Sequence, residues 1–152
     1  MATIYPMNEK EGKELAAIPK WGEPRSQWAQ DRPNTFTNAF GVVNKYGQSI
    51  KGLQVELEVF VSPRLGISKF VFSLKQFELG RPERAYQLHI NGRKGVLPRE
   101  HAYCHEHYGE PRFQADASWA GASFEDAVKR FCANTTLTLT DEMPDYQGFN
   151  LK

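Results

Sequence analysis

The sequence predicts an α+β domain. Its core is an antiparallel sheet of about four to six strands, with one main C-terminal helix packed on it and a weak N-terminal helix. Three observations carry this. In LQVELEVFV (53–61), Leu53, Val55, Leu57, Val59 and Val61 share one face, and Gln54, Glu56 and Glu58 share the other. That period-two pattern marks a strand with one wet face. ISKFVFSLKQFEL (67–79) repeats it, with Phe70, Phe72 and Leu74 on one side; across the turn SPRLG (62–66) the two runs form an antiparallel hairpin. Phe124, Ala127, Val128 and Phe131 then fall at i, i+3, i+4 and i+7, one face of a helix.

The remaining elements follow in order. Asn8 caps a weak helix over EKEGKELAAI, which Gly12 destabilises and Pro19 ends. Residues 19–34 hold three prolines and two tryptophans and read as an irregular arm. Trp21 and Trp28 beside Lys20, Arg25 and Arg32 suit either a stacking and phosphate-binding arm or burial of both indoles against the sheet; burial is the commoner use of large aromatics. TFTNAFGVV (35–43) reads as a strand before a turn at KYGQ. The turn GRPE (80–83) leads into the strand RAYQLHI (84–90), with Tyr86, Leu88 and Ile90 on one face and His89 on the other. Asn91-Gly92 is a hairpin turn signal. Ser123 caps the main helix, 123–133, with Asp126 as capping-box partner, and Asn134 ends it in a left-handed cap. TTLTLT (135–140) is a last strand suited to a sheet edge, and the tail DEMPDYQGFNLK is polar and loosely held. Residues 1–152 therefore read as a single domain: helix and arm 1–34, core 35–140, tail 141–152. The residues expected in the core are Val55, Leu57, Val59, Phe72, Leu88, Phe124, Val128 and Phe131.

Composition narrows the function classes. Net charge is +1, from 19 Lys+Arg against 18 Asp+Glu, which argues against an acidic DNA mimic and a strongly basic coat protein. The two cysteines, Cys104 and Cys132, make no C-x-x-C pair and are too few for a disulfide framework. The N-terminus lacks the basic-then-apolar pattern of a signal peptide, and no apolar run reaches the ~18 residues of a membrane span. A cytoplasmic protein without membrane partners is the expectation.

The chemistry concentrates in one segment, YQLHINGRKGVLPREHAYCHEHYGEPR (86–112). It holds all 4 histidines, Cys104, Arg93, Lys94, Arg99 and Arg112, with Arg84 just upstream. Histidine titrates nearest physiological pH and is the commonest metal ligand. Residues 98–109 fit either a strand, with His105 and His107 on one face, or a short helical turn; a loop or turn entering a strand at His105 is preferred. Three readings follow. In the first, His105 and His107 are an acid–base pair acting on a ribose phosphodiester, while Arg93, Lys94 or Arg112 holds the phosphate. In the second, His105 and His107 bind zinc with His101, Cys104 or Glu106, although the spacing matches no standard zinc signature. In the third, the histidines are simply solvated or packed. The glycine-flanked Lys94 is not a Walker A loop, H-E-x-x-H and G-x-S-x-G are absent, and no cofactor is expected.

The strand and turn of Tyr86–Gly95, the His-x-His segment His105–Gly109 and the helix with spaced phenylalanines Phe124–Phe131 span roughly a third of the chain. Together they resemble the small TumE-like toxins of toxin–antitoxin loci and related uncharacterised mobile-element proteins. Val96 to Cys104 separates the glycine turn from His105, where the family pattern has a shorter link. The resemblance implies an intracellular toxin-type protein acting on RNA and held by a cognate antitoxin. A second class is a non-enzymatic phage or mobile-element inhibitor, anti-CRISPR-like, that blocks a host defence nucleoprotein through Trp21, Trp28, Arg25 and Arg32. In either class an exposed sheet edge favours a homodimer or a protein complex.

Overall fold

The structure, a computed structural model, describes residues 7–62, 64, 67–78, 80–92, 104–115 and 117–146. The chain opens with helix α1 (Glu9–Ala17), followed by strands β1 (Lys20–Gly22), β2 (Ala29–Arg32), β3 (Thr35–Val43), β4 (Ser49–Ser62), β5 (Ile67–Glu78), β6 (Arg81–Asn91), β7 (His105–Tyr108) and β8 (Arg112–Gln114). A short 3₁₀ turn (Ala117–Trp119), helix α2 (Phe124–Thr135) and strand β9 (Leu137–Leu139) complete it. The strands form one open sheet in the order β8-β7-β6-β5-β4-β3-β1-β9, with β2 branching onto β3. All pairings are antiparallel except β1 with β9, which run parallel.

Among the described residues the sheet has nine strands rather than four to six. The expected arm supplies two of the extra strands: Lys20–Gly22 is held between β3 and β9, and Ala29–Arg32 pairs β3. The histidine segment supplies the other two, β7 and β8. The long strands at the centre follow the expected alternation. Val55, Leu57, Val59, Phe72 and Leu88 are buried, as is Phe131 of α2. Phe124 and Val128 are only partly buried, because the face of α2 that meets the sheet centres on Ala127, Phe131 and Thr135.

Both helices lie on the same side. Asn8 caps α1 by accepting from the Glu11 amide, as expected. Gly12 is no flaw in that helix: a Cβ there would stand 2.5 Å from the Ala85 carbonyl and 2.5 Å from the Gly109 amide, so its absence lets α1 lie directly on β6. Helix α2 runs past Asn134 and ends at Thr136, which takes the left-handed conformation (φ 53°, ψ 42°). Thr136 Oγ1 donates to the Ala16 carbonyl at 2.9 Å and anchors that conformation. The C-terminal segment to Tyr146 is part of the core rather than a loose tail. Tyr146 is buried against Phe124, Phe70 and Trp28, and the Trp28 indole N–H donates to the Pro144 carbonyl. Among the described residues no helix is long and apolar enough to cross a membrane.

Candidate functional site

Strand register gathers the histidines. Tyr86, Leu88 and Ile90 of β6 turn inward beneath the helices, so Gln87 and His89 occupy the opposite face. Across β6 and β7, His89 pairs His105 and Gln87 pairs His107; across β7 and β8, His107 pairs Arg112 and His105 pairs Gln114. All of these side chains therefore share the face away from the helices. The His89 and His105 rings lie 4.5 Å apart between centroids, and His105 and His107 lie 5.0 Å apart, edge to face. The result is a continuous run of three imidazoles across two strands.

The proton arrangement of His107 follows from its backbone neighbour. Its Nδ1 lies 3.2 Å from the Glu110 carbonyl oxygen. A carbonyl only accepts, so Nδ1 carries the proton and Nε2 keeps the lone pair. Burial first, then the positive charges of Arg84 and Arg112, push the His107 pKa below its ordinary value, against upward pulls from the Glu110 and Pro111 carbonyls. The imidazole is therefore neutral near pH 7, with Nε2 ready to take a proton. Arg84 is itself fixed: Nε donates to the Gly109 carbonyl at 3.1 Å, and the two terminal nitrogens reach Gln87 Oε1 and the Glu110 carbonyl, each at 3.4 Å. Gln87 in turn donates to Ser73 Oγ at 2.9 Å. The same guanidinium thus orders the β7–β8 turn, where Gly109 takes φ 63°, and charges the surroundings of His107.

The opposite face of β7 is structural. Buried Tyr86 donates its hydroxyl to Glu106 Oε2 at 2.8 Å, and Asn134 Nδ2 donates to both the Tyr86 hydroxyl (2.9 Å) and Glu106 (3.3 Å). Burial above all raises the Tyr86 pKa, so its proton stays on oxygen. Cys104 is buried and Cys132 partly so; burial raises both thiol pKa values, that of Cys132 to about 11, which leaves neither a nucleophile.

The expected site residues fare unequally. His107 and Arg112 are cross-strand neighbours. His105 is on the same face and buried, at 2% exposure. Arg93, Lys94, Arg99 and His101 lie outside the described residues, as does most of the connection after Asn91-Gly92. Among the described residues, β6 next pairs with β7, His89 opposite His105. Among the described residues no group of three or more His, Cys, Asp or Glu side chains is arranged to hold a metal ion. On the arm, Trp21 is half-buried and Arg25 and Arg32 are exposed, but Trp28 is a core residue at 3% exposure and offers no indole to a partner. Arg25 Nε donates to the Ala39 carbonyl, and its backbone exchanges two hydrogen bonds with the Asn38 amide. Lys20, beside Trp21, is fully buried. The sequence places His89 on the outer face of its strand but gives no site role to His89, Gln87 or Ser73. Alternation puts His89 and Gln87 on one face of β6, but only the register of β6 against β5 and β7 joins them to Ser73, His105 and His107.

A scan against protein-family models, a search of curated proteins and a search of solved structures each returned no match.

Proposed function

We propose that this chain is a small toxin-type protein that acts on RNA, with His107 as proton acceptor and Arg112 and Arg84 as the positive field around the phosphate. The observation that supports this is the His107 imidazole, neutral and locked in one tautomer between two guanidiniums. Nε2 takes the proton of a ribose 2′-hydroxyl as the 2′-oxygen bonds to phosphorus. The bond to the 5′-oxygen breaks, and that oxygen takes a proton from water. His105, behind His107 and in edge-to-face contact with it, is a positioning residue in this scheme. A cognate antitoxin, or a second copy of the chain, is the protein partner this reading calls for. The competing reading, a non-enzymatic inhibitor binding through Trp21, Trp28, Arg25 and Arg32, has less support, since Trp28 is spent in the core.

The test is cleavage of end-labelled RNA oligonucleotides and of matched oligonucleotides carrying one 2′-deoxy nucleotide. Cleavage of RNA is expected, blocked at the deoxy position, with His107→Ala lowering the rate ~10²–10⁴-fold and leaving the circular dichroism spectrum unchanged. Absence of cleavage on every RNA tried, with His107→Ala still capturing a host protein as wild type does, would refute the catalytic reading in favour of the inhibitor.

A further inference from the structure

A β-bulge decides which side of the sheet Arg84 serves. In the pairing of β5 with β6, Leu74 stands opposite Tyr86 and Lys75 opposite Arg84, so Ala85 is the extra residue. Strict alternation would turn Arg84 to the helix side with Tyr86 and Leu88. One inserted residue turns it instead to the face of Gln87, His105 and His107. The Ala85 carbonyl accepts from the Gly109 amide at 2.8 Å, which ties the bulge to the β7–β8 turn. On that face Ser73, Gln87, His107 and Arg112 form one cross-strand row. Arg84 fixes the orientation of the Gln87 amide. A guanidinium only donates, so Gln87 Oε1 faces Arg84 Nη1 at 3.4 Å, and Nε2 donates to Ser73 Oγ at 2.9 Å. Ser73 is buried, at 1% exposure, and gives the amide a firm anchor. On its far side, Arg84 Nη2 reaches the Glu110 carbonyl oxygen at 3.4 Å, the same atom that lies 3.2 Å from His107 Nδ1.

We infer that Gln87 is a positioning residue of this site: anchored on Ser73, it holds the guanidinium that the bulge brings to the Glu110 carbonyl shared with His107. The inference rests on the reading of His107 as proton acceptor, and it names what keeps the positive neighbour of that base in place. A long arginine side chain acts at a defined point only where its planar fork is held. Three acceptors hold this one, the Gly109 and Glu110 carbonyls and Gln87 Oε1. Two of them belong to the β7–β8 turn, and Gln87 ties the fork to the sheet. Among the described residues, the charged and titratable groups around the His107 ring are Arg84 from β6, His105 from β7 and Arg112 from β8. The Glu110 carboxylate lies near enough to Arg84 to favour its charge. Releasing Arg84 therefore changes the field at the ring, whereas a part for Gln87 confined to joining two strands would not act through Arg84.

The experiment is a double-substitution cycle on the free protein. NMR gives the titration midpoint of the His107 ring in wild type, Gln87→Leu, Arg84→Gln and the two combined, and circular dichroism confirms folding. Gln87→Leu keeps the bulk and removes both hydrogen bonds. It should raise the midpoint toward the ordinary histidine value. It should also speed hydrogen exchange of the Arg84 Nε–H by about two- to tenfold, the scale of one hydrogen bond. In the Arg84→Gln background the same substitution should leave the midpoint where it was. Ser73→Ala, two strands from the ring, should shift the midpoint in the same direction by less, and it decides the matter if Gln87→Leu does not fold. An unchanged midpoint in these folded variants would overturn the inference. So would an equal change with and without Arg84, which would make the effect of Gln87 direct. The titration uses no RNA. A failure to cleave RNA would remove His107 as base, while these midpoints would still decide whether Gln87 acts through Arg84.

Discussion

The ammonium of Lys20 donates to the carbonyl of Thr135, the last residue of α2. It also donates to the carbonyls of Ala16 (3.2 Å) and Ile18 (2.5 Å) at the end of α1, so one side chain closes the C-termini of both helices. Helix ends leave carbonyls without partners and carry a partial negative charge, and a cation there answers both. Lys20→Met keeps the aliphatic bulk but strands these carbonyls in a fully buried site. It should cost ~2–4 kcal/mol, at ~1–3 kcal/mol for a buried polar group left without a partner. Urea unfolding is the measurement; a loss below ~1 kcal/mol would mean that the carbonyls find other donors.

The same lysine sets a pH dependence. Burial pushes its pKa down to about 8 from 10.5. Between those values the unfolded chain holds a proton that the folded chain has released, so stability contributed by this group rises with pH across the window. Below about 8 the ammonium is charged in both states and its burial cost is constant. The stability difference between wild type and Lys20→Met should therefore grow in favour of wild type from pH 7.5 to pH 9.5. Taking the difference between the two proteins cancels the titration of other groups. A flat difference would place the Lys20 pKa near its unfolded value.

What the sequence disclosed was whatever one strand or helix shows alone. The alternation in 53–61 and 67–78 placed Val55, Leu57, Val59 and Phe72 correctly because a half-buried strand writes its environment into every second residue. The short β1 and β2 have no such record. Lys20–Gly22 is a strand because Leu137–Leu139 lies beside it, a partner more than a hundred residues away. The end of α2 was misplaced at Asn134 for a similar reason. Asn134 is held helical by its bonds to Tyr86 and Glu106, and Thr135 bonds back to the Phe131 carbonyl at 2.7 Å. In the candidate site, the shared face of His105 and His107 followed from their even spacing. The addition of His89, and the burial of His105, depended on pairing and packing that spacing does not contain.

Gly12 sets local propensity against packing. Alanine there gains up to ~1 kcal/mol of helix propensity, but its methyl group would meet two backbone atoms of Ala85 and Gly109 at 2.5 Å. Backbone cannot swing aside as a side chain can, so α1 must lift off β6. Gly12→Ala should destabilise by ~1–3 kcal/mol, the usual cost of overpacking. Gly41→Ala is the control, because a Cβ there meets nothing within 4 Å; it should be neutral or slightly stabilising. Thermal or urea unfolding of the two variants checks the pair, and equal behaviour would reject the docking argument.

The last prediction concerns the His107 proton. Burial and the charges of Arg84 and Arg112 hold the folded-state pKa below 6.5, the ordinary histidine value. Following the His107 ring proton by NMR across pH should give a midpoint below that of a histidine in the unfolded chain. Arg84→Gln should raise the midpoint, and Arg112→Gln should raise it less, in the order of their influence. The sign for stability follows. In the interval between the lowered folded pKa and 6.5 the unfolded chain binds more protons, so stability falls as pH drops through that interval and levels off below it. If His107 is the base for RNA cleavage, the acid limb of the rate profile should sit at the same midpoint and move with it in Arg84→Gln. A ring that titrates at or above 6.5, or one indifferent to Arg84→Gln, would remove the electrostatic basis for a neutral base at this position.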